Sequence, residues 1–330
     1  MQKIDFVVTW VDGNDSIWQV SKAKYTQETN LVLNSDARYR DWNTFKYWFR
    51  AVEKYAPWIN KIFLITEGHL PKWINLNHPK LVHIKHSDYI DEQYLPTFNS
   101  NVIELNIPNI KELSENFVLF NDDVFINAPV LAEDFFDKDG LPKDIGVFSP
   151  IIPKWGGISS IVLNNLEIIN KYFNSRDVLK KSFRKFYTFQ YGKHLIKNIC
   201  VSPWKPILGF YDFHVAVSYN KSYFSKLYEL EKEFFIKTSK TKFRTRENIN
   251  HWLVRYYQLC DGYFSPRRID FGAYYNVLDE LEKTLNDIKN SHHKIICIND
   301  GDNIDNFNFC KKSLIQSFEE KYPKKSNFEK

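Results

Sequence analysis

Four short apolar runs, each cut off by a polar turn, constrain this chain more than any other feature. Ile4-Asp5-Phe6-Val7-Val8-Thr9-Trp10-Val11 stops at Asp12-Gly13-Asn14-Asp15, and Lys61-Ile62-Phe63-Leu64-Ile65-Thr66 stops at Glu67-Gly68. Phe117-Val118-Leu119-Phe120 stops at Asn121-Asp122-Asp123, and Ile295-Ile296-Cys297-Ile298 stops at Asn299-Asp300. Short β-branched and aromatic runs bounded by such turns read as buried strands. Residues 81–86 alternate and read as another strand. Between them, Phe45, Trp48, Phe49, Val52 and Tyr55 share one helical face of 41–56, with Asp41 or Asn43 as cap and Pro57 as terminator. A short helix is expected over 110–114. Strand, helix, strand, strand, helix, strand implies an α/β fold with a mostly parallel sheet flanked by helices. Such sheets bind ligands beyond the carboxyl ends of their strands, so the turns at 12–15 and 121–123 are expected to face one crevice.

No internal repeat, linker or clear boundary divides the 330 residues, so one domain is expected over 1–330. Residues 128–200 are punctuated by Pro129, Pro142, Pro150, Pro153 and a turn at Trp155-Gly156-Gly157, and read as a helical insertion. Helices are expected over 221–235, 246–259, 275–290 and 307–321, and the last eight residues read as a frayed tail. Aromatic residues make up 17% of the chain, so its core is packed largely with rings. A net charge of +5 fits a mixed-charge surface, and no Arg-rich arm or zinc-finger spacing supports a nucleic-acid partner. The basic segment 180–187, K-K-S-F-R-K-F-Y, reads as a helix that is either solvated or turned to phosphate or membrane. No apolar stretch is long enough to span a bilayer, and the first apolar run is a strand rather than a signal segment. Cys200, Cys260, Cys297 and Cys310 show no C-x-x-C spacing and read as reduced thiols of a cytoplasmic protein.

The chemistry concentrates at the acidic turns. Adjacent carboxylates at a strand end disfavour each other's ionisation, and a divalent cation removes the conflict. Asp122-Asp123 therefore reads as a Mg²⁺ or Mn²⁺ site, since such ions are held by one or two carboxylates and shared with substrate phosphates; a plain capped turn is the alternative. Gly13 permits a tight turn whose backbone N–H groups suit phosphate or ribose oxygens. His214, in Y-D-F-H-V, is either a satisfied core residue or, if it lines a cleft, a general base. Arg244 and Arg246 lie at an expected helix start that suits a phosphate clamp, against the alternative of an ion pair with Glu247. No P-loop, G-x-S-x-G, H-E-x-x-H or G-x-G-x-x-G is present.

Taken together, these segments resemble the Stealth family of sugar-1-phosphate transferases. I-D-F-V-V-T-W-V-D-G-N-D at 4–15 is similar to its first block. R-Y-R-D-W-N at 38–43, F-R-A-V-E-K-Y-A-P-W-I at 49–59, F-L-I-T-E-G-H-L-P-K-W-I at 63–74, L-P-T-F-N-S-N-V-I-E at 95–104 and L-S-E-N-F-V-L-F-N-D-D-V-F at 113–125 resemble the second. G-F-Y-D-F-H at 209–214 with K-F-R-T-R-E-N-I-N at 242–250 resembles the third, within about 205–255. C-I-N-D at 297–300, running to F-E-E-K-Y-P-K-K-S-N-F-E at 318–329, resembles the fourth. One departure stands out: the family commonly has an acidic residue followed by Leu after Asn43, where this chain reads Thr44-Phe45. Arg244 is preferred to Arg246, because Phe243-Arg244 followed by Asn248-Ile249 keeps the family spacing.

The resemblance implies a Rossmann-like, GT-A-like sheet with a helical insertion and C-terminal helices. It also implies transfer of hexose 1-phosphate from a nucleotide sugar, a UDP-hexose or UDP-N-acetylhexosamine, to a glycan hydroxyl, with release of UMP, in capsular or surface polysaccharide synthesis. Asp122 and Asp123 then hold Mg²⁺ on the diphosphate. Asp5, Trp10, Asp12, Gly13, Asn14 and Arg50 contact the donor, with Asn299 and Asp300 completing the cleft. Arg244 counters charge on the transferring phosphoryl group, and His214 deprotonates the acceptor. The acceptor is expected to be lipid-linked, with the enzyme working at the inner face of the membrane. Two other classes fit the same residues: a metal-dependent glycosyltransferase releasing UDP, and a non-catalytic glycan-binding protein.

Overall fold

A computed structural model describes residues 2–26, 33–34, 39–155, 157–212, 214–301 and 306–330. Arg38, Gly156 and Phe213, which fall in the motifs quoted above, lie outside the described residues. The chain opens with β1 (Ile4–Thr9), α1 (Ser16–Ala23), α2 (Phe45–Tyr55), β2 (Ile62–Thr66), β3 (Leu81–Lys85), α3 (Ser100–Asn106), β4 (Asn116–Phe120) and β5 (Val124–Ile126). It continues through β6 (Lys143–Asp144), α4 (Ser159–Tyr172), α5 (Ser175–Phe186), α6 (Leu195–Val201), β7 (Val217–Asn220), α7 (Lys221–Leu230), α8 (Lys232–Ser239) and α9 (Trp252–Cys260). It ends with β8 (Ser265–Pro266), β9 (Gly272–Asn276), α10 (Val277–Asn290), β10 (Ile295–Asn299) and α11 (Phe307–Lys321).

The principal sheet has the order β3-β2-β1-β4-β7, parallel except for β7. Strands β1, β2 and β4 are buried on both faces, as their continuous apolar runs require, while the edge strand β3, which alternates, is only partly buried. The two-residue period of a strand sends Phe6, Val8, Leu64, Val118 and Phe120 to one side and Val7, Phe63, Ile65, Phe117 and Leu119 to the other. The first side packs against α2, α11 and a three-stranded sheet of order β5-β10-β9; the second packs against residues of α3, α4, α7 and α9. Rings fill both cores, as the composition implies: Phe6 meets Trp58, Phe120 and Phe135 at centroid distances of 5.7, 4.9 and 5.6 Å. The expected α/β class, mostly parallel sheet and flanking helices are all present.

Several local expectations are corrected. Residues 110–114 are not helical. The helix lies earlier, as α3, where Asn99 caps it by accepting from the Asn101 N–H and Pro108 shapes the closing 3₁₀ turn. The helix expected over 221–235 is two, α7 and α8, broken at Glu231. That residue leaves helical geometry, and its buried carboxylate accepts from Lys171 and Tyr172 of α4. The helix expected from 246 begins only at Trp252, because Asn248 takes the Thr245 N–H and ties the loop to Asn99. Helix α1 was not foreseen; Asp15 caps it through the Trp18 N–H at 2.8 Å. The tail is docked rather than frayed: Phe328 is buried against Phe49, and the Asn327 N–H donates to Glu53. Cys260, Cys297 and Cys310 are buried, Cys200 is exposed, and all four are free.

Candidate active site

The carboxyl ends of β1, β2, β4 and β10 open into one cleft of about 570 Å³. Trp10 and Val11 enter it from β1, Glu67 from β2, Asn121, Asp122 and Asp123 from β4, and Asn299 and Asp300 from β10. His214 and Arg244 line it from two later loops. A crevice is present at the strand ends and takes in the turn at 121–123, but the turn at 12–15 is not part of its lining; besides Trp10, six of the candidate residues share it: Asp122, Asp123, His214, Arg244, Asn299 and Asp300.

Asp122 opens onto the cleft and Asp123 is half-buried at its floor. One oxygen of Asp123, Oδ1, is buried with no hydrogen-bond partner, while Oδ2 accepts from the Cys297 thiol at 3.5 Å. Asp122 is pushed up to about 8 by the protein packed around it and then by the charges of Asp123 and Asp41. Its side chain still meets solvent, so repulsion between carboxylates weighs more in that rise than dehydration does. Burial also raises Asp123, and His214, within electrostatic reach, moderates the rise. Among the described residues no three His, Cys, Asp or Glu side chains form a ready-made metal cage. Two carboxylates with an unpartnered oxygen nevertheless fit Mg²⁺, which completes its shell with water and phosphate oxygens.

His214 holds a left-handed backbone, φ +57, uncommon for a residue with a side chain. Its N–H donates to Asp212 Oδ1 at 2.9 Å, an Asx-type turn that aims the ring. Arg244 donates to Ser100 Oγ at 2.5 Å, and Ser100 in turn bonds Glu104, one helical turn along α3. Burial pushes Glu104 up to about 7, moderated by Arg244 and Ser100. Arg246 instead lies over the exposed Trp155 ring, 5.3 Å from its centroid. Both carboxylate oxygens of Asp300 accept from the one nitrogen Arg40 Nη1, at 3.1 and 3.0 Å, and Asn299 Nδ2 donates to the Asp300 carbonyl. Trp10 stacks on Phe45 with a 3° interplanar angle.

The first turn is built tightly beside this cleft. The Asp12 N–H donates to His69 Nε2 and the Asp12 carboxylate accepts the Asn14 N–H. Gly13 is required by close approach: a Cβ there would sit 1.9 Å from the Tyr39 carbonyl oxygen. Asp12, Gly13 and Asn14 flank the cleft lining without forming part of it.

Two expected donor contacts are placed elsewhere. Asp5 lies near the opposite end of β1, fully buried, accepting from Asn60 Nδ2 and from the backbone N–H groups of Lys61 and Ser114. It ties β1 to the loops that start β2 and β4. Arg50 faces away from the sheet and donates to Glu329, Glu319 and the Tyr322 carbonyl, clamping the C-terminal segment to α2. Asp5 shares its motif with the cleft residues Thr9, Trp10 and Val11, and spacing alone does not separate the two kinds, whereas the 49–59 motif that carries Arg50 contributes no residue to the cleft lining. Conversely, Arg40, Asp41, Glu67, Ser100 and Glu104 line the cleft, and the sequence marks none of them as a site residue, Asp41 being read only as a candidate helix cap. Arg40 and Asp41 lie in R-Y-R-D-W-N, where charged residues beside a ring were the available signal.

Fold and cleft together define an α/β enzyme with an acidic site at its strand ends. Residues 2–29 match the model for Stealth protein conserved region 1, and residues 38–144 match that for conserved region 2. A capsular polysaccharide phosphotransferase of Streptococcus pneumoniae is 56% identical over 332 residues, covering 100% of this chain and 99% of its own. An exopolysaccharide phosphotransferase of Lactiplantibacillus plantarum is 43% identical, covering 99% of this chain and 96% of its own. Among solved structures, a galactosyltransferase crystallised with donor and acceptor sugar analogues aligns over 96% of this chain and 95% of its own, with TM-score 0.41 and 9% identity. The chain belongs to the Stealth family.

Proposed function

We propose that this enzyme transfers hexose 1-phosphate from a nucleotide sugar, a UDP-hexose or UDP-N-acetylhexosamine, to a glycan hydroxyl in the synthesis of a capsular or other surface polysaccharide. One observation carries the reading. Asp122, Asp123, His214, Arg244, Asn299 and Asp300, drawn from separate segments, line one cleft in a chain alike from end to end to polysaccharide phosphotransferases.

His214 takes the proton of the acceptor hydroxyl, whose oxygen attacks the β-phosphorus of the donor. The bond from that phosphorus to the oxygen bridging it to the α-phosphorus breaks, and UMP leaves with the electron pair. The sugar keeps its C1–O bond and ends in a phosphodiester. Arg244, fixed by Ser100, faces the charge that builds on the transferring phosphoryl group. Asp122 and Asp123 would hold Mg²⁺, which when bound neutralises diphosphate charge and stabilises the leaving UMP. Trp10 offers a ring edge for base or sugar beside the Gly13 turn.

His214→Ala is expected to lower kcat by on the order of 10²–10⁴-fold, with the fold intact by circular dichroism. The assay combines Mg²⁺ with a panel of nucleotide sugars and separates UMP from UDP. UMP with a phosphodiester supports phosphoryl transfer; UDP with a glycoside would sink it, and full activity in His214→Ala would remove the base assignment.

The acceptor is carried on a membrane lipid in this reading, and the insertion supports it. No helix among the described residues is long and apolar enough to cross a membrane. On α6, Ile196 and Ile199 share a face and are exposed, as are Phe189 and Trp204 nearby, with the exposed cations Lys180, Arg184 and Lys193 in the same insertion. Exposed apolar groups among cations suit an anionic bilayer surface. The protein is expected to float with vesicles containing phosphatidylglycerol, and Ile196→Ser/Ile199→Ser to reduce the floated fraction several-fold. Flotation unchanged by that pair would argue against this surface.

A further inference from the structure

A second cavity, of about 900 Å³, lies on the other side of His214. It shares His214 and Asn299 with the strand-end cleft, so the imidazole stands where the two meet. The Trp252 and Tyr274 rings line this cavity and stand edge-on to His214, at centroid distances of 5.6 and 5.9 Å and interplanar angles of 81° and 83°. Tyr274 is 43% exposed, an aromatic surface left open directly beside the imidazole. Tyr211, Asp212 and Asp270 add a further ring and two carboxylates. Asp212 Oδ1 is committed to the His214 N–H, while Oδ2 has no hydrogen-bond partner.

We infer that this cavity is the acceptor site, and that it binds the terminal neutral sugar of the glycan so that one hydroxyl reaches His214. Aromatic faces cover the apolar face of a pyranose, and carboxylate oxygens accept hydrogen bonds from its hydroxyls. The same chemistry excludes the donor. No lysine or arginine is among the described lining residues, and Asp212 and Asp270 are ion-paired with Arg255 and Arg268. Arg40, Lys154 and Arg244 line the first cleft beside Asp122 and Asp123, so the groups that suit a diphosphate and its metal are there. A base between two sites, one with arginines and paired carboxylates for metal and one lined by aromatic rings without lysine or arginine, is the arrangement that in-line transfer between two bound substrates needs. The inference rests on the phosphotransfer reading for the identity of the first site.

The test uses methyl α- and β-glucosides and galactosides as acceptor probes. Saturation-transfer NMR with the full chain is expected to show at least one hexoside bound at tens of millimolar, with the signal lost in Tyr274→Ala. With Mg²⁺ and the active nucleotide sugar, Tyr274→Ala is expected to raise the KM of that hexoside at least about tenfold. The donor KM should change less than about twofold. Asp212→Asn, checked by thermal melting, should also raise the hexoside KM. Absence of saturation transfer from every hexoside, or an unchanged hexoside KM in Tyr274→Ala, overturns the acceptor site. The nucleotide released is read in the same assay: UDP in place of UMP overturns the phosphotransfer reading alone, because the KM comparison still reports where the acceptor binds.

Discussion

Asp123→Asn is expected to cut kcat by on the order of 10³-fold and, in magnesium-free buffer, to raise the melting temperature. The loss follows from the several kcal/mol that a metal contributes by stabilising transferring charge, about 4 kcal/mol corresponding to roughly 10³ in rate. The stabilisation follows from the metal-free geometry. Asp123 Oδ1 is buried without a partner beside the carboxylate of Asp122, which is itself pushed up to about 8. A neutral amide of the same shape removes the Asp123 charge, which is one of the causes that push Asp122 up. Mg²⁺ should raise the melting temperature of the wild-type protein, because a ligand that binds only the folded state stabilises it. That shift should vanish in Asp123→Asn and shrink in Asp122→Asn. Melting curves with and without Mg²⁺, beside turnover measurements, check both halves. A variant that melts lower without Mg²⁺ and turns over normally would make the pair structural.

The strand ends were legible because burial on both faces demands uninterrupted apolar residues, and a strand that stops at Asp122-Asp123 or Asn299-Asp300 must expose them at one edge of the sheet. The α2 face was legible for a similar reason: Phe45, Trp48, Phe49 and Val52 pack inward, as their spacing indicates. Tyr47, Arg50 and Ala51 are buried too, and periodicity gave no warning, because α11 and the tail cover the outer face of the helix. The break at Glu231 depends on Lys171 and Tyr172, some sixty positions away in the chain, and local pattern cannot register such a partner. Asp5 illustrates the same limit within the site. A carboxylate in a strand beside a functional turn looks like a ligand contact, yet its place at the amino end of β1 gives it three N–H donors of the scaffold. For His214 and Arg244 the motif resemblance carries most of the signal in the sequence. Their residue types were ambiguous alone, and only the fold brings them to the carboxylates.

Arg50→Leu is expected to destabilise the protein by about 3–5 kcal/mol, the range for removing one partner of a buried ion pair. Arg50 and Glu329 have side chains only 5% and 3% exposed, joined by two parallel bonds of 2.7 and 2.9 Å. Arg50 also donates to the Tyr322 carbonyl at 2.7 Å. Leucine would leave the Glu329 carboxylate and that carbonyl enclosed without their donor, beside the Phe328–Phe49 contact that seats the tail. Arg50→Leu/Glu329→Leu should recover part of the loss, because it removes the stranded charge together with the cost of dehydrating the pair. Urea unfolding of the two single variants and the double variant measures the coupling, and nucleotide-sugar binding to each folded variant provides the second readout. A scaffold role requires donor affinity to survive in whatever fraction stays folded. Stability within about 1 kcal/mol of wild type, together with lost donor binding, would instead return Arg50 to the donor site that its motif first suggested.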